Sequence, residues 1–513
     1  MKSIEKEPSQ LIFALADPDT ELSQLLNEVL ILAKSNPGIL ERINQDQDRL
    51  GKEKKKVRLQ DKQWQEKQLT PFPEMPQSET VAIDSEALVL GLGKPRMQPL
   101  VVLLFIVLRA FLGGIKSKTT QLFILESTTI QNFLIKHDIK MPGWSTIIDN
   151  INAISLETLS ELFNAQLRAA LYEGLDDFTE LTIDSTAVSG NITWPTDSGI
   201  ISALVQRIWH CGNQLAKFSI PNMGERRFPN IIDTIKKCHH KISMLKGKKG
   251  DKARREKAYR KLLKEARKAS LAFIKEASLI IHSFGKVDLK PSKKLQLFRI
   301  GELIIDDIKK LEQVVDYCDL RVNYYQSTKA VDKVMSLSDQ DAAYIKKGNR
   351  NEVIGYKPQL GRSKNGFITS FHVPQGNTSD SSEFVPMVDQ HIARTSAVPN
   401  IVSVDDGYAS ATGKKMVEKK GVAVVSISGA KGKMITPLED WESDTFKKAR
   451  ADRSSVESLM FTIKYNYSFG RVMRREIEQV RAEMMEKVIV YNFSRIVEIR
   501  ARKNKAIRMA VAS

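Results

Sequence analysis

Leu22, Leu25, Leu26, Val29, Leu30 and Leu32 recur at helical spacing and predict helix through residue 50. A polar, basic stretch runs from Lys52 to Lys67, and Pro71, Pro73 and Pro76 mark a linker over 71–96. Leu100 to Leu108 is apolar on every side and is stopped by Arg109, which predicts a buried helix too short to span a bilayer. Gly113-Gly114 ends it. Shorter helical patterns follow at Thr119–Leu125 and Thr128–Ile135, and Pro142-Gly143 precedes Trp144, with Ser145 or Thr146 opening one more helix. This region, 97–170, reads either as a helix-turn-helix that contacts DNA or as an ordinary helical bundle.

Strand patterns then take over, at Leu181–Ala187, Asn351–Leu360, Gly366–Val373, Ile401–Asp405 and Val422–Ile427. Helical patterns cover 381–394, the stretch up to Lys420, and a last segment around Glu457. A long helical insertion, 205–345, separates the first strand from the rest. The expected organisation is a helical N-terminal region (1–70), the linker, the helical region 97–170, an α/β domain (178–470) carrying the insertion, and an arginine-rich helical region (471–513) whose apolar part is Val488 to Ile499.

A chain of 513 residues buries more than one core, and 42% hydrophobic with 27% charged residues is ordinary for a soluble globular protein. The net charge of +18 is not ordinary and points to a polyanion, with nucleic acid ahead of an anionic membrane. A membrane surface would call for a basic amphipathic anchor or a spanning segment. Met1-Lys-Ser-Ile-Glu-Lys-Glu leads into no secretory core, and Cys211, Cys238 and Cys318 make no disulfide framework, so a cytoplasmic protein is expected. Lys236 to Lys275 holds sixteen Lys and Arg against three acids, with apolar residues from Tyr259 through Leu271 to Ile274 at helical spacing. A solvated helix usually balances its charges, so this one is expected to touch phosphates, with Arg254 and Arg255 as candidate contacts.

Three acids then complete the picture. Asp184 lies in the strand-like Leu181-Thr-Ile-Asp-Ser-Thr-Ala, and Asp405 ends Ile401-Val-Ser-Val-Asp before a Gly-Tyr turn. Glu457 lies on a helical pattern whose Val456, Leu459, Met460 and Ile463 form the buried stripe. Arg453, Glu457 and Lys464, spaced four and seven apart, fall within about 40° on the helical wheel, so one carboxylate sits between two cations. The plainer reading is an exposed Arg–Glu pair. Carboxylates at strand ends and on a packed helix are the ligand set for two hard cations, Mg2+ or Mn2+, which serve in-line displacement at phosphorus. Asp184 would bridge the ions. Asp405 is favoured over Asp406 because it continues the strand face of Ile401 and Ser403, with Asp406 as the competitor.

These blocks resemble bacterial insertion-sequence DDE transposases. Arg453-x3-Glu457-x6-Lys464 is similar to the Arg–Glu–Lys part of their Tyr–Arg–Glu–Lys pattern, and Asp405-Asp-Gly-Tyr408 to their Asp-x-Gly-Tyr element. Asp184-Ser-Thr, followed by Asn191-Ile-Thr-Trp-Pro-Thr-Asp197-Ser-Gly, resembles the first-acid block. The family tyrosine falls at Arg450, a departure that leaves the acids in place. With the insertion removed, the element order matches a ribonuclease H-like mixed sheet. The resemblance implies a DNA transposase that cuts transposon ends and transfers strands into target DNA, nucleoid-associated and dimeric on DNA ends, with Arg450, Arg453 and Lys464 as further DNA contacts. A ribonuclease H-like nuclease without strand transfer and an inactive DNA-binding relic are the competing readings.

Other motifs are weaker. Gly407-x5-Gly413-Lys414-Lys has one residue too many for a phosphate loop and lacks its Ser/Thr. His210-Cys211 and Cys238-His239-His240 lack zinc-ligand spacing. Asn191, Thr196 and Asp197 read as turn or cap residues at least as well as functional ones.

Overall fold

The computed structural model describes residues 21–67, 97–114, 117–141, 143–215, 218, 228–245, 250–284, 291–346 and 352–512; the expected linker 71–96 lies outside them. In chain order the elements begin with α1 (Glu21–Ser35), α2 (Pro37–Lys67), α3 (Pro99–Phe111), α4 (Ser117–Glu126), α5 (Thr128–Lys136), α6 (Trp144–Ala153) and α7 (Leu156–Tyr172). Next come β1 (Glu180–Ser185), β2 (Val188–Ser189), α8 (Asp197–Leu215), α9 (Phe228–Met244), α10 (Asp251–Phe284) and α11 (Pro291–Asn323). Then follow β3 (Ala343–Ile345), β4 (Val353–Tyr356), β5 (Gln359–Ser363), β6 (Ile368–His372), α12 (Asp380–Thr395), β7 (Ile401–Val404), α13 (Ala411–Glu418) and β8 (Val424–Ile427). The chain ends through α14 (Ala430–Ile435), α15 (Leu438–Glu442), α16 (Asp444–Asp452), α17 (Ser454–Asn466) and α18 (Ile477–Ala512). It is a mixed α/β protein, mostly helical, dividing into two compact units, one of which takes Thr193–Gln340 together with 51–91.

That unit is built by α8 to α11 around Ile201, Leu204, Ile235, Leu262, Phe273 and Leu311. The basic stretch lies on α9 and α10, whose Tyr259, Leu262, Leu263, Ala266 and Ala269 are buried while the bases face solvent. Two residues depart from the expected stripe: Leu271 and Ile274 are 69% and 38% exposed. On the wheel they stand about 160° and 100° from the stripe's centre near Leu262 and Phe273.

The other unit holds a five-stranded sheet of order β6-β5-β1-β7-β8. The β6–β5 and β5–β1 pairs are antiparallel, and the β1–β7 and β7–β8 pairs are parallel. Helix α12 covers one face, where Leu181, Ile183, Phe384, Met387, Val402 and Val404 form a core. Side-chain alternation turns Thr182, Asp184 and Ser403 to the opposite face, where Ser403 Oγ donates to Ala449 O of α16 at 3.0 Å. Helix α3 is apolar all round except for Arg109, which pairs with Glu486, and every residue from Val101 to Ala110 is buried. It packs against α18, which also grips the edge strand: Ile368 N donates to Asn492 Oδ1 and Asn492 Nδ2 to Ile368 O. Both backbone groups of that edge position are thereby satisfied by a side chain.

Two more sequence expectations are corrected, and one small sheet is added. The single strand expected over Asn351–Leu360 is two strands in different sheets, because Pro358, with no N–H to donate, breaks the ladder between Tyr356 and Gln359. A small sheet of order β2-β4-β3 was not foreseen; its strands are only two to four residues long. Helix α6 begins at Trp144, with Gly143 as its N-cap, rather than opening at Ser145 or Thr146. It packs against α3 and α4 through a face that includes buried Ile147 and Ile151. Among the described residues no helix is long and apolar enough to cross a membrane.

Candidate active site

The register between β1 and β7 sets two of the acids side by side. Thr182 pairs with Ser403 and Ile183 with Val404, so Asp184 and Asp405 are the next residues on adjacent parallel strands, sharing one face. Asp184 is buried, and its Oδ1 accepts from Ser185 N at 2.7 Å. Asp405 ends β7 and caps the turn Asp406–Tyr408, accepting from Gly407 N at 3.0 Å. Asp406 points elsewhere: its Oδ1 accepts from Lys431 N and Gly432 N at the start of α14. Gly429 precedes that helix at φ +99°, and a Cβ there would meet Asp406 at 2.6 Å, so the approach requires glycine.

The third acid stands on α17, which packs against β1 and buries the stripe Val456, Leu459, Met460 and Ile463 expected of it. Glu457 lies off that stripe, its side chain 58% exposed, and accepts from Arg453 Nη2 at 2.8 Å. Lys464 is half-buried two turns on. Arg450 lays its guanidinium over the Trp441 ring, 4.5 Å from the centroid. The structure thus brings Asp184 and Asp405 together, and keeps Glu457 on the helix covering β1 with Arg453 as its counter-charge. Among the described residues no three His, Cys, Asp or Glu side chains lie close enough to hold a metal ion. Three bare carboxylates would repel one another, and an ion pair with Arg453 is the cheaper arrangement for Glu457. In kind, the donors are the hard oxygens that Mg2+ and Mn2+ prefer.

Beside the acids lies a buried polar network that sequence reasoning missed. Asp380, in the first turn of α12, accepts from Lys357 Nζ and Gln359 Nε2, both at 2.9 Å. Gln359 Oε1 in turn accepts from the Tyr408 hydroxyl. Burial pushes the Asp380 carboxyl up, but hydrogen bonds from Gln359 and Lys357 outweigh it and leave the group below the usual carboxylate range. Burial drives the Tyr408 hydroxyl well above its ordinary value, and the charges of Asp380, Asp184 and Asp405 add to the effect. The one sequence signal was Lys357 and Gln359 flanking a proline inside an otherwise apolar strand pattern.

The remaining sequence candidates fall out simply. Asn191 Nδ2 donates to Met473 O, Thr196 Oγ1 accepts from Gly199 N at the start of α8, and Asp197 pairs with Arg321 at 2.7 Å. Ser410 caps α13 and Lys414 reaches Glu418, as in an ordinary helix start. His239 Nδ1 lies 3.0 Å from Ser198 Oγ, and His210 is within hydrogen-bond reach of Gln214. On α10 Arg254 is exposed, whereas Arg255 folds back over the Tyr259 ring, 6.0 Å from its centroid.

Residues 313–493 match the family model described as the transposase DDE domain, a span that contains Asp405 and Glu457 and begins beyond Asp184. The match makes this stretch of the chain similar to a transposase DDE domain. No curated protein and no solved structure matches the chain.

Proposed function

We propose that this protein is a transposase of the bacterial insertion-sequence type, with Asp184, Asp405 and Glu457 as its catalytic carboxylates. It cuts DNA at the ends of its element and joins them to target DNA. One observation carries the reading: Asp184 and Asp405 stand next to each other at the ends of parallel strands, on the face of Thr182 and Ser403, and the helix of Glu457 packs on the first of those strands. The strand order β6-β5-β1-β7-β8, with β1 central, supports a ribonuclease H-like catalytic domain.

Asp184, Asp405 and Glu457 would hold the Mg2+ or Mn2+ ions. When bound, such ions activate the attacking oxygen and stabilise the leaving 3′ oxygen at phosphorus. The protein's own groups then have distinct tasks. Arg453 gives up Glu457 and, with Lys464, grips the phosphates beside the scissile bond. Arg450, stiffened by its stack on Trp441, contacts the backbone nearby. Arg254 and Arg255 on the helical insertion are further DNA contacts, and the helices of 97–170 bind the element ends. Handling two ends calls for a homodimer assembled on DNA in the bacterial nucleoid.

The test is cleavage and joining by purified protein on DNA carrying the native flanking ends, with Mg2+, with EDTA, and as Asp184→Ala, Asp405→Ala and Glu457→Ala. Metal-dependent nicking and joining, lost in all three variants, is expected. Cleavage without joining would replace the transposase by a nuclease. Binding with no chemistry in any metal would reduce it to a DNA-binding relic.

A further inference from the structure

We infer that Lys357 and Asp380 form a buried positioning pair that holds the segments carrying Asp184 and Asp405 at one separation. The inference rests on the assignment of those two acids as metal ligands, and it adds residues that neither their motif nor the family match singles out.

Asp380 is tied to both acid-bearing segments. Its carboxylate hydrogen-bonds the hydroxyl of Ser185, the residue directly after Asp184. Through Gln359, which is fully buried and sits opposite Ser185 in the β1–β5 register, it reaches the hydroxyl of Tyr408, three residues after Asp405. The Ser185 hydroxyl also lies beside that of Tyr408. The same carboxylate also lies against the Asp405 turn. A Cβ on Gly407 would stand 3.1 Å from Asp405 Oδ1 and 3.2 Å from Asp380 Oδ2, so the two carboxylates flank a residue where a methyl would fit only tightly.

The direction of each bond is set by chemistry. Lys357 is donor-only, and Asp380 accepts from it and from the Gln359 amide NH2. That leaves the Gln359 carbonyl to accept from Tyr408. Lys357 spends a further proton on Thr378 O at 3.1 Å, so the ion pair is buried with its hydrogen bonds made. Buried ion pairs add little stability over an apolar substitute, and where they are fully bonded they select one geometry. Here that geometry is the spacing of two ligand-bearing segments. Lys357 also places a positive charge next to a group of carboxylates that would otherwise push the two strand ends apart.

The experiment measures Mn2+ binding by isothermal titration with full-length protein as wild type, Asp380→Asn, Lys357→Met and Tyr408→Phe, with Asp184→Asn as control. Cleavage kcat and KM and thermal melting are read on the same samples. Asp380→Asn and Lys357→Met are expected to weaken Mn2+ at least tenfold and to lower kcat with KM for DNA unchanged. Tyr408→Phe keeps the buried ring and cuts only the far end of the chain of bonds; it should move both readouts the same way, and serves if Asp380→Asn does not fold. Folded variants with wild-type Mn2+ affinity and kcat would overturn the positioning role alone. A wild type that binds Mn2+ no better than Asp184→Asn would overturn the carboxylate assignment and this inference with it.

Discussion

Asp406 and Lys431 are joined across the turn after β7: Asp406 Oδ1 accepts the Lys431 backbone N–H at 2.8 Å. A second bond, from Gly432 N at 3.0 Å, makes the carboxylate an anchor for the start of α14. Its neighbour Asp405 continues the face of Ser403 and Asp184 instead. Asp406→Ala is therefore expected to cost about 1 kcal/mol of stability, as loss of a helix-start acceptor does. Folded Asp406→Ala should keep its cleavage rate, and Asp405→Ala should lose it by two orders of magnitude or more. Thermal melting together with a nicking assay reads both, and loss of cleavage by a stable Asp406→Ala would reverse the assignment.

The Arg453–Glu457 pair is partly exposed and spaced i,i+4, so breaking it changes stability by well under 1 kcal/mol. Its expected importance is chemical. Glu457→Gln should abolish cleavage, whereas Arg453→Ala should weaken binding of cleavable DNA ends at least tenfold, each with a melting temperature within a degree or two of wild type. If Arg453→Ala binds DNA normally, Arg453 is only a partner for Glu457.

Arg254, Lys257, Lys261 and Lys264 on α10 are exposed and carry no ion pair among the described residues. They fall within about 80° on the helical wheel, on the side away from the buried stripe of Leu262 and Phe273. Paired bases nearby, such as Arg267 with Asp319 and Lys268 with Glu265, are partly neutralised. Replacing Lys257, Lys261 and Lys264 by Gln should lower the slope of log K against log salt by about 2 to 3, close to one unit for each phosphate no longer neutralised. The weakening should be equal for specific and unrelated duplexes. An unchanged slope would place the DNA elsewhere.

His391 is fully buried, its Nδ1 2.7 Å from Thr369 Oγ1 and its Nε2 donating to Phe178 O at 3.0 Å. Burial pushes its pKa down to about 4, against a value near 6.5 in the unfolded chain. Between those values the unfolded state binds the extra proton, so stability rises with pH there. The contribution is complete above about pH 6.5 and is lost as pH falls toward 4, on the order of 3 kcal/mol over the window. His391→Gln should flatten that part of a denaturant-stability profile. An unchanged slope would mean that other groups govern acid unfolding.

How far the chain could be read is clearest in α17 and β7. The stripe Val456, Leu459, Met460 and Ile463 and the strand ending at Asp405 were legible because burial imposes a period, about 3.6 in a helix and two in a strand. The same rule exposed α3, whose residues other than Arg109 are apolar in every direction. Where elements are very short, as in β2 and β3, no period has room to develop, and the small sheet escaped notice. The run from Asn351 to Leu360 misled because both halves have strand composition, and only pairing assigns them to different sheets.

What the amino-acid order determined by itself was local: the periodic elements, the excess of positive charge, and three acids in motifs similar to those of one enzyme family. Tertiary structure decided which of those residues are neighbours. It set Asp184 beside Asp405 through a strand register and committed Asp406 to a helix start. It also drew Lys357, Gln359, Asp380 and Tyr408 into one buried network. The physical reason is range. Hydrophobic periodicity is written into adjacent positions, whereas a hydrogen bond or a carboxylate's counter-charge depends on which distant segments the packed core brings within about 3 Å.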